Sequence, residues 1–147
     1  MTEGAPGGAA AGDEEGLLDA LVQTSYAVVD ALTAVAARHE LSLTLLRVVA
    51  ILRDRAPAMS ELATHLGLDR SSVTGLVDRA AARGLVRKTN DERDRRSSRV
   101  TLTDAGRDLA AACAGEITRQ LEPMTAQLTA AQRRHLTRLL DALGVVG

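Results

Sequence analysis

The sequence predicts a mostly α-helical chain interrupted once, past its middle, by a charged β-hairpin. The 147 residues include one Tyr and no Phe or Trp. Any core must therefore be built from Leu, Val, Ile and Ala, and Ala and Leu are strong helix formers. Apolar residues recur at helical spacing over most of the length. Between Leu85 and Thr103 that texture gives way to LVRKT, NDERDRRSS and RVTLT. Two β-branched segments around a polar loop are a hairpin pattern.

The N-terminus, MTEGAPGGAAAGDEEG, is Gly/Ala-rich and acidic, with neither the basic nor the apolar region of a signal peptide. Residues 1–12 are expected to form a disordered tail. From Asp13 to about Ala37 the positions Leu17, Leu18, Leu21, Val22, Val28, Val29, Leu32 and Val35 predict one long helix. His39 and Glu40 break that pattern. A second helix is predicted from about Ser42 to Asp54, ended by Arg55-Ala56-Pro57 because proline biases its predecessor away from helix.

Ser60 is read as the cap of a short helix, Glu61 to Leu66, which Gly67 stops in the left-handed conformation. Asp69 is read as the cap of the next helix, Arg70 to about Arg83, ended by Gly84. Two helices joined by a Gly-containing turn form a helix-turn-helix. Ala63 is small where they cross, and Val73 and Leu76 turn toward the core. After the hairpin, Thr103 and Asp104 start a helix through Leu109, Cys113 and Ile117 to about Leu121, where Pro123 is expected to interrupt or bend it. A last helix, roughly Thr129 to Leu143, carries Leu136, Leu139, Leu140 and Leu143.

No apolar run approaches the roughly 18 residues a membrane span needs. The single Cys113 excludes an internal disulfide and suits a reducing compartment. These features predict a cytoplasmic protein with no membrane partner. The formal net charge of −1 argues against a generally basic nucleic-acid binder. Charge position says otherwise. Residues 70–99 hold nine Lys/Arg and four acids, net +5, while the remainder is net −6. One basic segment in an acidic chain makes a local anion-facing surface. Its densest part is NDERDRRSSRV, Asn90 to Val100, with seven charged residues in eleven. Most such runs are solvated loops; this one also holds cations where a polyanion can reach them.

The stretches SELATHLGLDRSSVTGLVDRAAARGLVRK and NDERDRRSSRVTLTDAG, in that order, resemble the MarR family of winged-helix regulators. The second is similar to the family's wing signature, D-x-R-D-x-R followed by a strand and L-T-x-x-G. Its counterparts here are Asp91, Arg93, Asp94, Arg96, Leu102, Thr103 and Gly106. The resemblance spans roughly residues 15–145. It implies a winged helix-turn-helix DNA-binding domain with a two-stranded wing over 41–103. It also implies a helical dimerisation region, made from a helix at 13–40 and the C-terminal helices at 104–147. A homodimer of this kind is expected to act as a sequence-specific transcriptional regulator, a repressor on a roughly palindromic double-stranded operator. Its recognition helices would enter successive major-groove faces about 34 Å apart. Relatives commonly bind small anionic or phenolic effectors between the dimer helices and the DNA-binding lobe.

Arg70 is a candidate for bidentate guanine contact. Ser71, Ser72 and Thr74 allow close approach and donate to phosphate. Arg79 either contacts DNA or pairs with Asp78 or a nearby acid. Arg87 and Lys88 are candidate phosphate contacts, or a solvated strand edge. In the wing, Arg93, Arg95 and Arg96 suit a narrow minor groove. By resemblance, Arg96 either touches DNA or pairs with the capping Asp69. Asp94 is given a structural role in the hairpin, holding it by accepting backbone N–H groups or pairing with an arginine.

His39, His65 and His135 are scattered without acids or Cys at ligand spacing, so no metal or cofactor is expected. No nucleophile–base arrangement or phosphate-cradling loop appears, which argues against an enzyme. Cys113 is either a buried small hydrophobe or a redox switch. Tyr26, His39 and Arg47 either line an effector pocket or lie on the surface. The competing readings are a dimeric helical interaction module without DNA binding, and a redox-responsive regulator acting through Cys113.

Overall fold

A computed structural model describes residues 8–90 and 98–144. The expectations for Asp91, Glu92, Arg93, Asp94, Arg95 and Arg96 fall outside the described residues. The first helix, α1 (Gly8–Arg38), starts at Gly8 and not at Asp13, so part of the expected tail is helical. The run Ala9–Ala11 supplies the helix propensity that an apolar-periodicity reading overlooks. At its other end Glu40 sits at φ 55, and Leu41 N–H closes back onto the Ala36 carbonyl at 2.9 Å. Ser42 then caps α2 (Leu43–Asp54), its hydroxyl accepting from Leu45 N–H at 3.1 Å.

Helix α3 (Met59–Leu66) begins at Met59, with Ala58 and not Ser60 at the cap position. The cause is tertiary. Ala58 is held extended by a bridge to Arg99, and Val100 N–H donates to the Pro57 carbonyl at 3.0 Å. The Glu61 carboxylate accepts the Ala58 N–H at 2.7 Å, so the free donor is satisfied from inside the helix. Gly67, at φ 64, makes the turn into α4 (Arg70–Ala82), and Gly84, at φ 71, ends that helix region. Both conformations favour glycine, which has no Cβ to clash.

Strands β1 (Val86–Asn90) and β2 (Ser98–Leu102) pair antiparallel, with Val86 opposite Leu102 and Asn90 opposite Ser98. Helix α5 (Asp104–Thr125) runs through Pro123 and stops at Thr125. Proline costs one i→i−4 bond, and because it falls in the last turn it neither interrupts nor ends the helix at Leu121. Thr129 and Gln132 form a reciprocal cap at the start of α6 (Ala130–Ala142).

The buried residues form one aliphatic cluster that includes Val35, Val48, Val49, Leu62, Val73, Val77, Val100 and Cys113. Among the described residues no polar or charged side chain is buried. Much apolar surface lies outside this core. Along α1, Leu17, Leu18, Val22, Tyr26 and Val29 are exposed, Leu17 by 60% and Tyr26 by 63%. Helix α6 buries none of its residues and exposes Leu136, Leu139 and Leu140, with Leu143 exposed just beyond it.

By length and composition alone, the part of α1 from Gly12 to Arg38 is long and apolar enough to cross a membrane, its most apolar 18-residue window reaching a mean hydropathy of 1.4. This corrects the expectation that no segment approaches that length. Alanines and valines between the leucines raise the average, although Asp19 and Asp30 prevent an unbroken run. The core helix of a water-soluble protein meets the same criterion, and α1 packs its C-terminal end, Val35 and Ala36, into the aliphatic cluster.

The base of the wing is closed by α5. Thr103 N–H donates to the Leu85 carbonyl at 3.0 Å, and its hydroxyl donates to the Gly84 carbonyl while accepting Gly106 N–H at 3.0 Å. A Cβ on Gly106 would stand 2.0 Å from the Leu85 carbonyl oxygen. Gly106→Ala should therefore destabilise the protein by about 3 kcal/mol, the upper end of the usual overpacking cost. Gly115→Ala, whose Cβ would meet only the Arg119 side chain at 3.5 Å, should be neutral or stabilising. Denaturant midpoints that rank the two variants the other way would contradict the close contact.

Candidate nucleic-acid interface

The start of α4 is organised by one carboxylate. Asp69 accepts Ser72 N–H at 2.8 Å and the Ser71 hydroxyl at 2.6 Å on one oxygen, and the Ser72 hydroxyl at 2.7 Å on the other. These bonds, the Ser71 hydroxyl first, hold the carboxyl well below the usual carboxylate range. Thr74 donates its hydroxyl to the Arg70 carbonyl at 2.8 Å. All three hydroxyl protons of the first turns are thus spent inside the helix. In this arrangement the hydroxyls of Ser71, Ser72 and Thr74, the expected phosphate donors, are engaged within the helix start.

The cations divide into two groups. Lys88 reaches from β1 to pair with Asp78 on α4, which ties the wing strand to the helix. Arg79 makes no ion pair with Asp78, the partner considered for it, although the second Asp78 oxygen is not used by Lys88. Arg99 donates to the Ala56 carbonyl at 2.8 Å, and Arg83 to the Glu40 carbonyl at 2.8 Å and the His39 carbonyl at 3.2 Å. Arg70, Arg79 and Arg87 are exposed, and no ion pair with a described residue engages them. Arg79 lies over Gly75, its Nη1 3.3 Å from where a Cβ on that glycine would stand. Three guanidiniums thus stand exposed in this region: Arg70 in the first turn of α4, Arg79 nine residues on and so on its opposite flank, and Arg87 on the adjacent strand.

A cleft of about 390 Å³ lies behind this lobe, lined by Leu32 of α1, Leu43, Leu46 and Arg47 of α2, Leu68 after α3 and Ile117 of α5. Its wall is aliphatic and Arg47 is its one charged lining group. Arg47 also donates to the His65 carbonyl at 2.9 Å. Of the three polar residues considered for a pocket, Arg47 lines this cleft. Tyr26 stands on the exposed stripe of α1, and His39 faces Glu116 of α5 at 2.8 Å. Arg38 shares that carboxylate at 2.7 Å; together Arg38 and His39 draw the Glu116 carboxyl below its ordinary range. Sequence reasoning found neither this cluster nor the Arg83 contact, because the partners lie far apart in the chain.

Cys113 is 2% exposed. Burial, then the nearby Glu116 charge, pushes its thiol up. A protonated thiol held out of solvent is a poor nucleophile, which favours the small-hydrophobe reading over the redox switch. Among the described residues no cluster of His, Cys, Asp or Glu could hold a metal ion.

A helix-turn-helix followed by a two-stranded antiparallel wing, with aliphatic helices before and after it, is a winged-helix DNA-binding fold. A sequence model of the MarR family matches residues 39–97. The homoprotocatechuate degradative operon repressor of Escherichia coli is 30% identical over 135 residues, covering 90% of each chain. The transcriptional repressor CouR, solved bound to a 23-mer DNA duplex, is 27% identical with a TM-score of 0.75, covering 97% of this chain and 99% of its own. NadR, solved with 4-hydroxyphenylacetate, shares the fold at 19% identity and a TM-score of 0.74 over the full length of both chains. The chain belongs to the MarR family. It is a transcriptional regulator and not an enzyme.

The Asp69 cap has a testable pH signature. A carboxyl whose folded value is depressed contributes stability above its unfolded value, and loses it as pH falls through the folded one. Asp69→Ala should melt below the wild type near neutral pH. The gap should close only in strong acid, below the ordinary carboxylate range. Thermal unfolding followed by circular dichroism checks this; a gap that does not narrow with acid would dissociate the cap from the carboxylate charge.

Proposed function

We propose that the protein is a homodimeric repressor that binds a roughly palindromic operator and is released from it by a small anionic or phenolic molecule. The observation that carries the DNA reading is the exposure of Arg70 at the start of α4, of Arg79 further along it and of Arg87 on β1, with no ion pair to a described residue engaging them. Arg70 is assigned to guanine or phosphate, Arg79 and Arg87 to phosphate, and Arg93, Arg95 and Arg96 to the adjacent minor groove. Ser71, Ser72 and Thr74 permit close approach of the backbone. Each can donate outward only by releasing the internal bond it makes in the unbound protein. Lys88 contributes mainly by bracing the wing against α4. Asp69 caps the recognition helix, and Asp94 is given the same structural role within the hairpin. The DNA-bound relative CouR supports this reading.

The dimer is proposed from the exposed stripes on α1 and α6. Apolar faces of that extent are uncommon on monomers and mark association surfaces. In this division residues 13–40 and 104–147 join two copies, and residues 41–103 form each DNA-binding lobe. The place of action is the cytoplasm. The effector is assigned to the cleft beside Arg47, where an aliphatic wall suits a ring and the guanidinium, with five donors, suits a carboxylate. A relative that represses a homoprotocatechuate degradative operon, and one solved with 4-hydroxyphenylacetate, support that chemical class.

Operator affinity by fluorescence anisotropy, on a duplex selected from a random pool, tests the DNA reading. Arg70→Ala and the pair Arg95→Ala with Arg96→Ala should each weaken binding. Each should also flatten its salt dependence by roughly one unit of slope per lost phosphate contact. Unchanged affinity and slope would remove those residues from the interface. For the effector, phenolic carboxylates should release wild-type protein from the operator. Arg47→Ala should bind the operator normally yet resist release; equal sensitivity would move the effector site elsewhere.

A further inference from the structure

We infer that Arg83 is a positioning residue that fixes the DNA-reading lobe against the dimer arms and so sets which half-site spacing the protein accepts. This rests on the two-lobe reading above. Arg83 is the cap residue at the end of α4, and its guanidinium forks across two carbonyls, Glu40 at 2.8 Å and His39 at 3.2 Å. Those carbonyls belong to the turn that ends α1, where a helix has unpaired acceptors and the negative end of its dipole. A cation there satisfies both. The turn is unusual in itself, because Glu40 takes a left-handed φ of 55 without being glycine.

The same turn is gripped from its other side. Arg38 and His39 bind the two oxygens of Glu116 on α5, at 2.7 and 2.8 Å. One short segment, Arg38 to Glu40, is therefore joined by side chain to α5 and through its carbonyls to α4. The main packing of α4 is within its own lobe, against α3 and β1, with Val73, Leu76 and Val77 buried. The Arg83 fork is a polar tie from the C-terminal end of the reading helix to the arm that carries the exposed apolar stripe. Leverage makes that tie matter. A helix of 13 residues is roughly 20 Å long, so a tilt of about 5° at Arg83 moves the first turn by about 2 Å. Doubled across a two-fold axis, such a shift alters the distance between the two reading helices.

The test is affinity for three duplexes: the selected operator, and versions with one base pair inserted or deleted at its centre. Wild-type protein should lose about tenfold or more on either change, since half-site separation is fixed by the dimer. Arg83→Ala should bind the parent operator more weakly and show a spacing penalty reduced at least threefold. Arg83→Lys, which keeps the cation and one donor direction, should fall between. A merely stabilising role would lower the active fraction and weaken all three duplexes by one factor, leaving the penalty unchanged; that result would overturn the inference. If Arg83→Ala fails to fold, the Arg83→Lys penalty decides, and one equal to wild type overturns it. Wild-type protein indifferent to spacing would overturn the two-lobe reading itself, and this inference with it.

Discussion

The structure turns on the contact between the first turn of α5 and the backbone at Gly84 and Leu85. Thr103 bonds to both carbonyls, and Gly106 brings the helix close enough that no side chain fits between them. That junction sets the end of α4, the start of β1, the end of β2 and the direction of α5 in one place. The two five-residue strands gain most from it, since a lone two-stranded hairpin is marginal in water. The wing is rigid at its base because a helix is anchored there. The L-T-x-x-G signature is thus a packing requirement with a hydroxyl cap built into it.

What could be read in advance was local. The helix-turn-helix was legible because Gly67, Asp69 and Gly84 each act on their immediate neighbours, through a left-handed turn, a cap and a second left-handed turn. Thr103 was legible for the same reason. Part of what was missed depended on distant partners, and part on local effects that leave no periodic mark. Ser60 looks like a cap until β2 pulls Ala58 into an extended bridge with Arg99. Proline at 123 looks like a stop until its place in the final turn makes the lost bond cheap. The early start of α1 came from alanine propensity, which leaves no periodic mark. At the site, residue types were readable and their engagements were not. Lys88 pairs with Asp78, and the hydroxyls of Ser71 and Ser72 turn onto Asp69, engagements that residue type alone does not announce. Arg83 gave no signal, because its partners lie more than forty residues away.

The basic segment illustrates why charge counts are an incomplete guide. Residues 70–99 carry net +5, yet Arg83, Lys88 and Arg99 spend their donors on the protein itself. Asp69 is balanced by hydrogen bonds and Asp78 by a lysine. The field presented outward from the described part comes from Arg70, Arg79 and Arg87. Cations that brace the scaffold and cations that face outward are chemically alike, and only position sorts them. The same division runs through the carboxylates: Glu116 joins two helices, whereas Asp104 pairs within its own helix, with Arg107.

The near absence of aromatic residues has a practical result beyond packing. With no tryptophan and one tyrosine, the chain is almost transparent in the near ultraviolet, and what light it absorbs there is taken up at Tyr26. That ring stands in solvent on the apolar stripe of α1, more than half exposed. Its emission and near-ultraviolet ellipticity therefore come from one known address, unmixed with signals from the core or the reading helix. The molecule carries a single optical label at the place where a second copy, if it docks along that stripe, must cover it.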